Sequence, residues 1–164
     1  MNFLCTLALR QFVGSPFEDD WTGAITSIYG YRLHPITGQR HLHTGIDVGK
    51  PEGTPILGGL YGGIVTTAQD MGGYGLTVII EFVDEETGLG VRVLYAHLYE
   101  IYVDVGDVLE LGAVIGTVGQ TGTATGPHLH LEIFISDDSG ATWRRVNPAF
   151  FTEPFSDFET PQVQ

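Results

Sequence analysis

Positive charge is scarce in this chain. Seven Lys and Arg stand against twenty Asp and Glu, a formal net charge of −13, and a surface of that sign repels polyanions, so no nucleic acid is expected as a partner. The same sign weakens attraction to an anionic cell surface. Cysteine is nearly missing: Cys5 stands alone, which rules out an intramolecular disulfide and any paired-cysteine metal site and leaves the redox compartment unread. Long apolar runs are lacking too. The opening MNFLCTLAL has no basic leader and soon meets Gln11, Glu18, Asp19 and Asp20, so it reads as neither a convincing signal peptide nor a membrane span. The expectation is export by another route, or a domain cut from a longer chain whose targeting or anchoring segment lies elsewhere. No long internal repeat or low-complexity block is present.

What is plentiful is glycine, 23 residues among 164, together with Val, Ile, Thr and Tyr. That mixture predicts short strands and tight turns, hence a mainly β fold with few short helices. The length suits one domain with a substantial core. β-like runs recur between glycines at 63–68, 76–83, 91–99, 113–118 and 128–135, the spacing of packed antiparallel sheets. Residues 1–20 read as a leader or linker, 21–153 as the domain and 154–164 as a C-terminal tail. Asp84-Glu85-Glu86-Thr87-Gly88 reads as a hairpin turn whose acidity is that of a solvated tip. Asn147-Pro148 predicts a capped helical turn running to Phe151.

The stretch Thr125-Gly126-Pro127-His128-Leu129-His130-Leu131-Glu132 places imidazoles on alternate residues. In a strand, residues two apart share a face, so His128, His130, Glu132 and Phe134 look one way. Leu129, Leu131, Ile133 and Ile135 look the other way and supply an apolar anchoring face. Two such histidines alone are as compatible with hydrogen-bonded sheet residues as with chemistry. A second segment decides the matter: His43-Thr44-Gly45-Ile46-Asp47 pairs an imidazole with a carboxylate across a glycine. With one later histidine, it supplies three nitrogen and oxygen ligands of the kind Zn²⁺ takes at catalytic sites, where the fourth position stays open. Residues four apart in a straight strand are about 13 Å apart, too far to share an ion. The chain therefore turns there, and Gly45 permits it. The helical HExxH pattern is absent. A cupin-type site fails as well, since Phe134 and Ile135 stand where its carboxylate would be.

The order His43-x-Gly45-x-Asp47, then Tyr95-Ala96-His97-Leu98, then Gly126-Pro127-His128-Leu129-His130 resembles the lysostaphin-like, or LytM-type, zinc metallopeptidases of the M23 family. The flanks agree: Tyr31 to Gly38, Gly53-Thr54-Pro55-Ile56, Gly106-Asp107-Val108, and the run from Gly116 to Gly122. The likeness extends from near Ile28 to Phe151. It implies antiparallel sheets forming a groove with zinc at its floor, one Zn²⁺ per chain held by His43, Asp47 and His130, and His97 and His128 beside it as catalytic residues. It further implies an endopeptidase acting on peptidoglycan peptide, at an extracellular or cell-wall location. The alternative is a zinc-bound but non-catalytic wall-binding or regulatory module. All five positions are filled, which speaks for the enzyme.

Several residues remain open at this level. His41 shares a face with His43 if that segment is extended, and reads as a groove or surface residue. His34 reads as structural or groove-lining. Glu132 either accepts an imidazole N–H or forms a surface ion pair, with nothing to choose between them. Arg32, Tyr74 and Tyr95 are candidates to line the groove. His97 is expected on the face of its strand that carries Val91, Val93 and Tyr95. Cys5, in the leader, is a poor nucleophile candidate.

Overall fold

The computed structural model describes residues 14–33, 38–58, 63–85, 87–110 and 112–152. Twelve strands alternate with three single 3₁₀ turns: β1 (Ile25–Ser27), β2 (Gly30–Leu33), β3 (Arg40–His43), β4 (Ile46–Val48), β5 (Pro55–Gly58), β6 (Gly63–Asp70), β7 (Leu76–Val83), β8 (Gly90–Ile101), β9 (Val108–Leu109), β10 (Ala113–Val118), β11 (Leu129–Ser136) and β12 (Arg144–Val146). Ten of them form one antiparallel sheet in the order β1-β4-β11-β8-β7-β6-β9. β12 pairs with β11, and β10 pairs with both β5 and β8; β2 and β3 make a separate hairpin. The mainly β, antiparallel architecture is therefore the one expected, and the strand limits fall within a few residues of those read from the sequence. No helix of the described residues is long and apolar enough to cross a membrane.

The core lies on the face that carries Leu129, Leu131 and Ile133 of β11, all fully buried. Cross-strand register brings Ile46 and Val48 of β4 opposite Leu131 and Leu129. Tyr95 and Val93 of β8 stand opposite Leu131 and Ile133. Trp21, Ile56, Val65, Ile80 and Leu98 belong to the same cluster. Within the expected leader, Phe17 is packed into this core at 2 % exposure and Leu57 N–H donates to the Pro16 carbonyl at 2.9 Å, while Glu18, Asp19 and Asp20 stay exposed. Cys5, His34 and the tail at 154–164 lie outside the described residues.

Two local expectations need correction. Asp84 is not part of a solvated tip but 3 % exposed, and its carboxylate accepts from the Thr87 N–H at 2.8 Å and from the Thr87 hydroxyl. A buried carboxylate that closes its own turn explains the acid there better than solubility does. Tyr95 is 4 % exposed and belongs to the core, so it does not line a groove. The capped turn at Asn147 is present as drawn, with the Asn147 side chain accepting from Ala149 N–H at the head of Pro148–Phe150.

Candidate metal centre

His43 ends β3 and Asp47 sits at the middle of β4, so Thr44-Gly45 carries the chain from the small hairpin into the large sheet. Gly45 is needed there for closeness rather than for a special dihedral. Its φ is not among the positive ones, whereas a Cβ at this position would lie 2.3 Å from the Leu131 carbonyl oxygen and 2.9 Å from His130 Cε1. Register then sets Asp47 directly opposite His130 on β11, with Ala96 of β8 on the other side of His130. The side chains of His130 and Asp47 meet on the face away from the core.

Three donor atoms converge. Asp47 Oδ1 lies 2.7 Å from His130 Nδ1 and 3.1 Å from His43 Nε2, and the two nitrogens are 3.3 Å apart. Among the described residues, His43, Asp47 and His130 form a group whose ligand atoms all lie within 4.8 Å of one another. The far nitrogens are committed elsewhere, which is what a metal-binding imidazole requires. His43 Nδ1 donates to the Ile28 carbonyl at 2.8 Å, with Ser27 Oγ at 3.2 Å. His130 Nε2 donates to Glu132 at 3.1 Å. With those hydrogens fixed, Nε2 of His43 and Nδ1 of His130 are the atoms turned to the carboxylate: each donates to Asp47 while it carries a proton and offers a lone pair to a metal once that proton is lost. Two imidazole nitrogens and one carboxylate oxygen suit Zn²⁺.

Both further histidines arrive at this cluster. His128 Nε2 is 3.7 Å from Asp47 Oδ1, and its Nδ1 donates to the Gly126 carbonyl at 2.8 Å. His97 stacks obliquely on His128 at 4.8 Å between ring centroids, 5.9 Å from His130, while its Nδ1 donates to the Thr121 carbonyl at 2.8 Å. Each therefore keeps Nε2 for a reacting group. His97 reaches the site by breaking the alternation expected of it: Val93 and Tyr95 face the core, and simple period-two geometry would send His97 after them. Instead its φ is +63°, and the β7–β8 register slips between Leu76↔Leu98 and Val78↔Tyr95, an extra residue on β8. Such a bulge re-aims a side chain, and a left-handed non-glycine residue is the kind of strain found at functional sites.

Glu132 takes the first of its two readings, accepting an imidazole N–H, and the expected surface ion pair is corrected: its pairing with Arg145 is made from a buried carboxylate. It is fully buried and accepts from His130 Nε2, from the Thr44 hydroxyl, from Tyr74 OH at 2.8 Å and from Arg145 Nε at 2.7 Å. Burial opposes its charge, but these donors, His130 first, outweigh burial and hold its carboxyl at about 2. Asp47 behaves alike: burial resists ionisation, and hydrogen bonds from His130 and His43 drive its carboxyl far below the usual range. His130 is pushed up, because Asp47 and Glu132 together override the burial that favours its neutral form. His97 is pushed down, chiefly by burial, which keeps its imidazole neutral and able to take a proton.

Sequence reasoning brought together all five histidine and aspartate positions. His41 stays exposed on β3, outside the cluster of ligand atoms. Tyr74 does approach, its ring 5.8 Å from that of His130. Ser27, Thr44, Thr121 and Arg145 went unnoticed. Thr44 had a weak signal, lying inside the first motif, but Arg145 had none, because only the β11–β12 pairing Phe134↔Arg145 carries it to Glu132.

Comparison with known proteins agrees with this geometry. The profile of Peptidase family M23 matches residues 41–148. The DD-carboxypeptidase/endopeptidase Mpg of Neisseria meningitidis serogroup B is 46% identical over 112 residues, covering 68% of this chain and 24% of that protein. The peptidoglycan DD-endopeptidase ShyA of Vibrio cholerae is 35% identical over 129 residues, 77% of this chain and 28% of that one. This chain thus spans about a quarter of the length of these curated relatives. Among solved structures, a zinc-containing peptidase from Vibrio cholerae superimposes with a TM-score of 0.66 at 30% identity, covering 84% of this chain and 39% of that one.

Proposed function

The chain belongs to peptidase family M23, and on that premise we propose that it is a zinc-dependent endopeptidase hydrolysing peptide bonds in bacterial peptidoglycan, in stem peptides or their cross-bridges. The observation that carries this reading is the convergence of His43 Nε2, Asp47 Oδ1 and His130 Nδ1 beside two histidines whose Nδ1 hydrogens are already spent on carbonyls. His43, Asp47 and His130 would hold the zinc, which would supply the Lewis acidity to polarise a scissile carbonyl and to lower the pKa of a water toward neutrality. His97 and His128, through Nε2, take up the proton of the attacking water and return it to the leaving amine. Whichever of them is protonated steadies the developing oxyanion. His43 and His130 are oriented through their other ring nitrogens by Ile28 and Glu132, so that metal entry would replace the protons they share with Asp47 rather than turn the rings. Its place of action is where peptidoglycan lies, outside the cytoplasmic membrane. With a net charge of −13, a separate targeting or anchoring segment is expected to bring the domain to an anionic wall.

The test is a paired measurement on wild type and His128→Ala: zinc content, and release of new amino groups from purified peptidoglycan. The expected result is one zinc per chain in both proteins, with hydrolysis only in the wild type. Zinc retention with no hydrolysis by the wild type, on walls of several cross-link types, would replace this reading with that of a binding or regulatory module.

A further inference from the structure

Cations are few in this chain, and among the described residues nearly all are spoken for. Lys50 pairs with Asp19, Arg92 with Glu81, Arg144 with Asp137 and Arg145 with Glu132. Arg40 lies over the Tyr31 ring, 4.4 Å from its centroid. Arg32 alone, among the described residues, has neither a carboxylate nor an aromatic partner. Its guanidinium donates one hydrogen bond, to the Ser27 hydroxyl, which leaves most of its N–H fork unused.

Its position is the second observation. In the β2–β3 hairpin, Gly30 pairs with His43 and Arg32 with His41, while Tyr31 pairs with Leu42 and Leu33 with Arg40. Cross-strand pairs share a face and alternate along the strand. Arg32 is therefore on the face of His43, and Arg40 is on the opposite one. Ser27 links the two, since its Oγ is 3.2 Å from His43 Nδ1. Ser27 and Arg32 also line a cleft of about 410 Å³ bounded by residues 25–32. An uncommitted guanidinium on the metal-site side of an otherwise acidic protein is a local attraction for an anion, and its planar fork matches a carboxylate.

We propose that Arg32 forms a carboxylate-recognition subsite: it binds a free carboxylate of the substrate peptide close to the scissile bond and so selects acidic over amidated peptides. This rests on the endopeptidase reading for the identity of the ligand. Arg32 acts on substrate selection, not on the chemical step, and its effect belongs in binding and KM rather than kcat.

The probes are a cross-linked peptidoglycan peptide dimer with free carboxylates and the same dimer with those groups converted to primary amides. Binding is measured by calorimetry on zinc-loaded protein carrying His128→Ala, so that both probes persist, and turnover is measured separately on protein with His128 intact. The acid is expected to bind about tenfold more tightly than the amide, a preference that shrinks as salt rises. Arg32→Gln, which keeps a donor for Ser27, should bind both probes alike with zinc content unchanged. Arg40→Gln makes the same charge change on the other face and should keep the preference. Equal binding of acid and amide by the unaltered hairpin would overturn the proposal, as would Arg32→Gln weakening both probes equally. If neither dimer is cut while the preference persists, the endopeptidase reading fails and the subsite stands. If both are cut but bound equally, the reverse holds.

Discussion

Replacing Gly45 with alanine should disable the metal centre without touching a ligand. The added methyl would sit 2.3 Å from the Leu131 carbonyl oxygen, 2.9 Å from His130 Cε1 and 3.0 Å from His130 Nε2. Backbone oxygen cannot swing aside as a side-chain tip can, so an ordinary contact near 3.4 Å requires β4 and β11 to separate by about 1 Å. That separation acts where Asp47 and His130 face each other in register, and it presses on the nitrogen by which Glu132 orients the ring. Overpacking of this kind costs about 1–3 kcal/mol, equivalent to a drop in Tm of about 2–12 °C for a chain of this size. Misplacing one ligand relative to the other two should weaken zinc binding by about 10–100-fold. The assay is a thermal melt of the metal-free protein together with zinc competition against a chromophoric chelator. Gly23→Ala, where a Cβ meets nothing within 4 Å, is the control. A Gly45→Ala protein with unchanged Tm and unchanged zinc affinity would refute the close-approach account of this glycine.

Glu132→Ala leaves four donors around an empty space; it should destabilise the fold by about 3 kcal/mol, at the low end for a broken buried pair because Arg145 is partly exposed. It should also lower zinc affinity by about 10–100-fold, and denaturant melts with chelator competition separate the two effects. At the β11–β12 turn, Asp138 accepts from Thr142 N–H at 2.9 Å and Thr142 Oγ1 at 2.6 Å, and from Ser136 Oγ at 2.7 Å. These bonds, those of Thr142 first, hold its carboxyl at about 2 against an ordinary 3.8. A depressed carboxyl stabilises the fold fully above its unfolded value and ceases to do so as pH falls through the folded one. The Tm gap between wild type and Asp138→Ala should therefore be constant near neutrality and shrink between pH about 4 and about 2; a gap that grows on acidification would contradict this.

Strand positions were legible because they are written locally, whereas local spacing offered His43, Asp47 and one later histidine as ligands and the choice of His130 came from the family resemblance. Period-two alternation in Leu129–Ile135 marks a strand and its core face, and His43-x-Gly45-x-Asp47 with His128-x-His130 carries its chemistry at short spacing. Alternation also predicted too much. It assigned His97 to the face of Val93 and Tyr95, and only the extra residue on β8 in its pairing with β7 turns it toward the cluster of ligand atoms. It drew Glu132 on a polar face without saying what covers that face; Thr44, Tyr74 and Arg145 come from three other elements, and the strand is buried on both sides. Gly45 was read as a hinge, whereas it is the near approach of Leu131 that excludes a Cβ. The sequence by itself determined which groups could bind zinc and which segments form strands, since side-chain chemistry and backbone periodicity are properties of neighbouring residues. Which nitrogen of each histidine faces the candidate metal position, which carboxylate holds it there and which arginine is left uncommitted depend on strand register across the sheet and the hairpin, and register exists only once distant segments have paired.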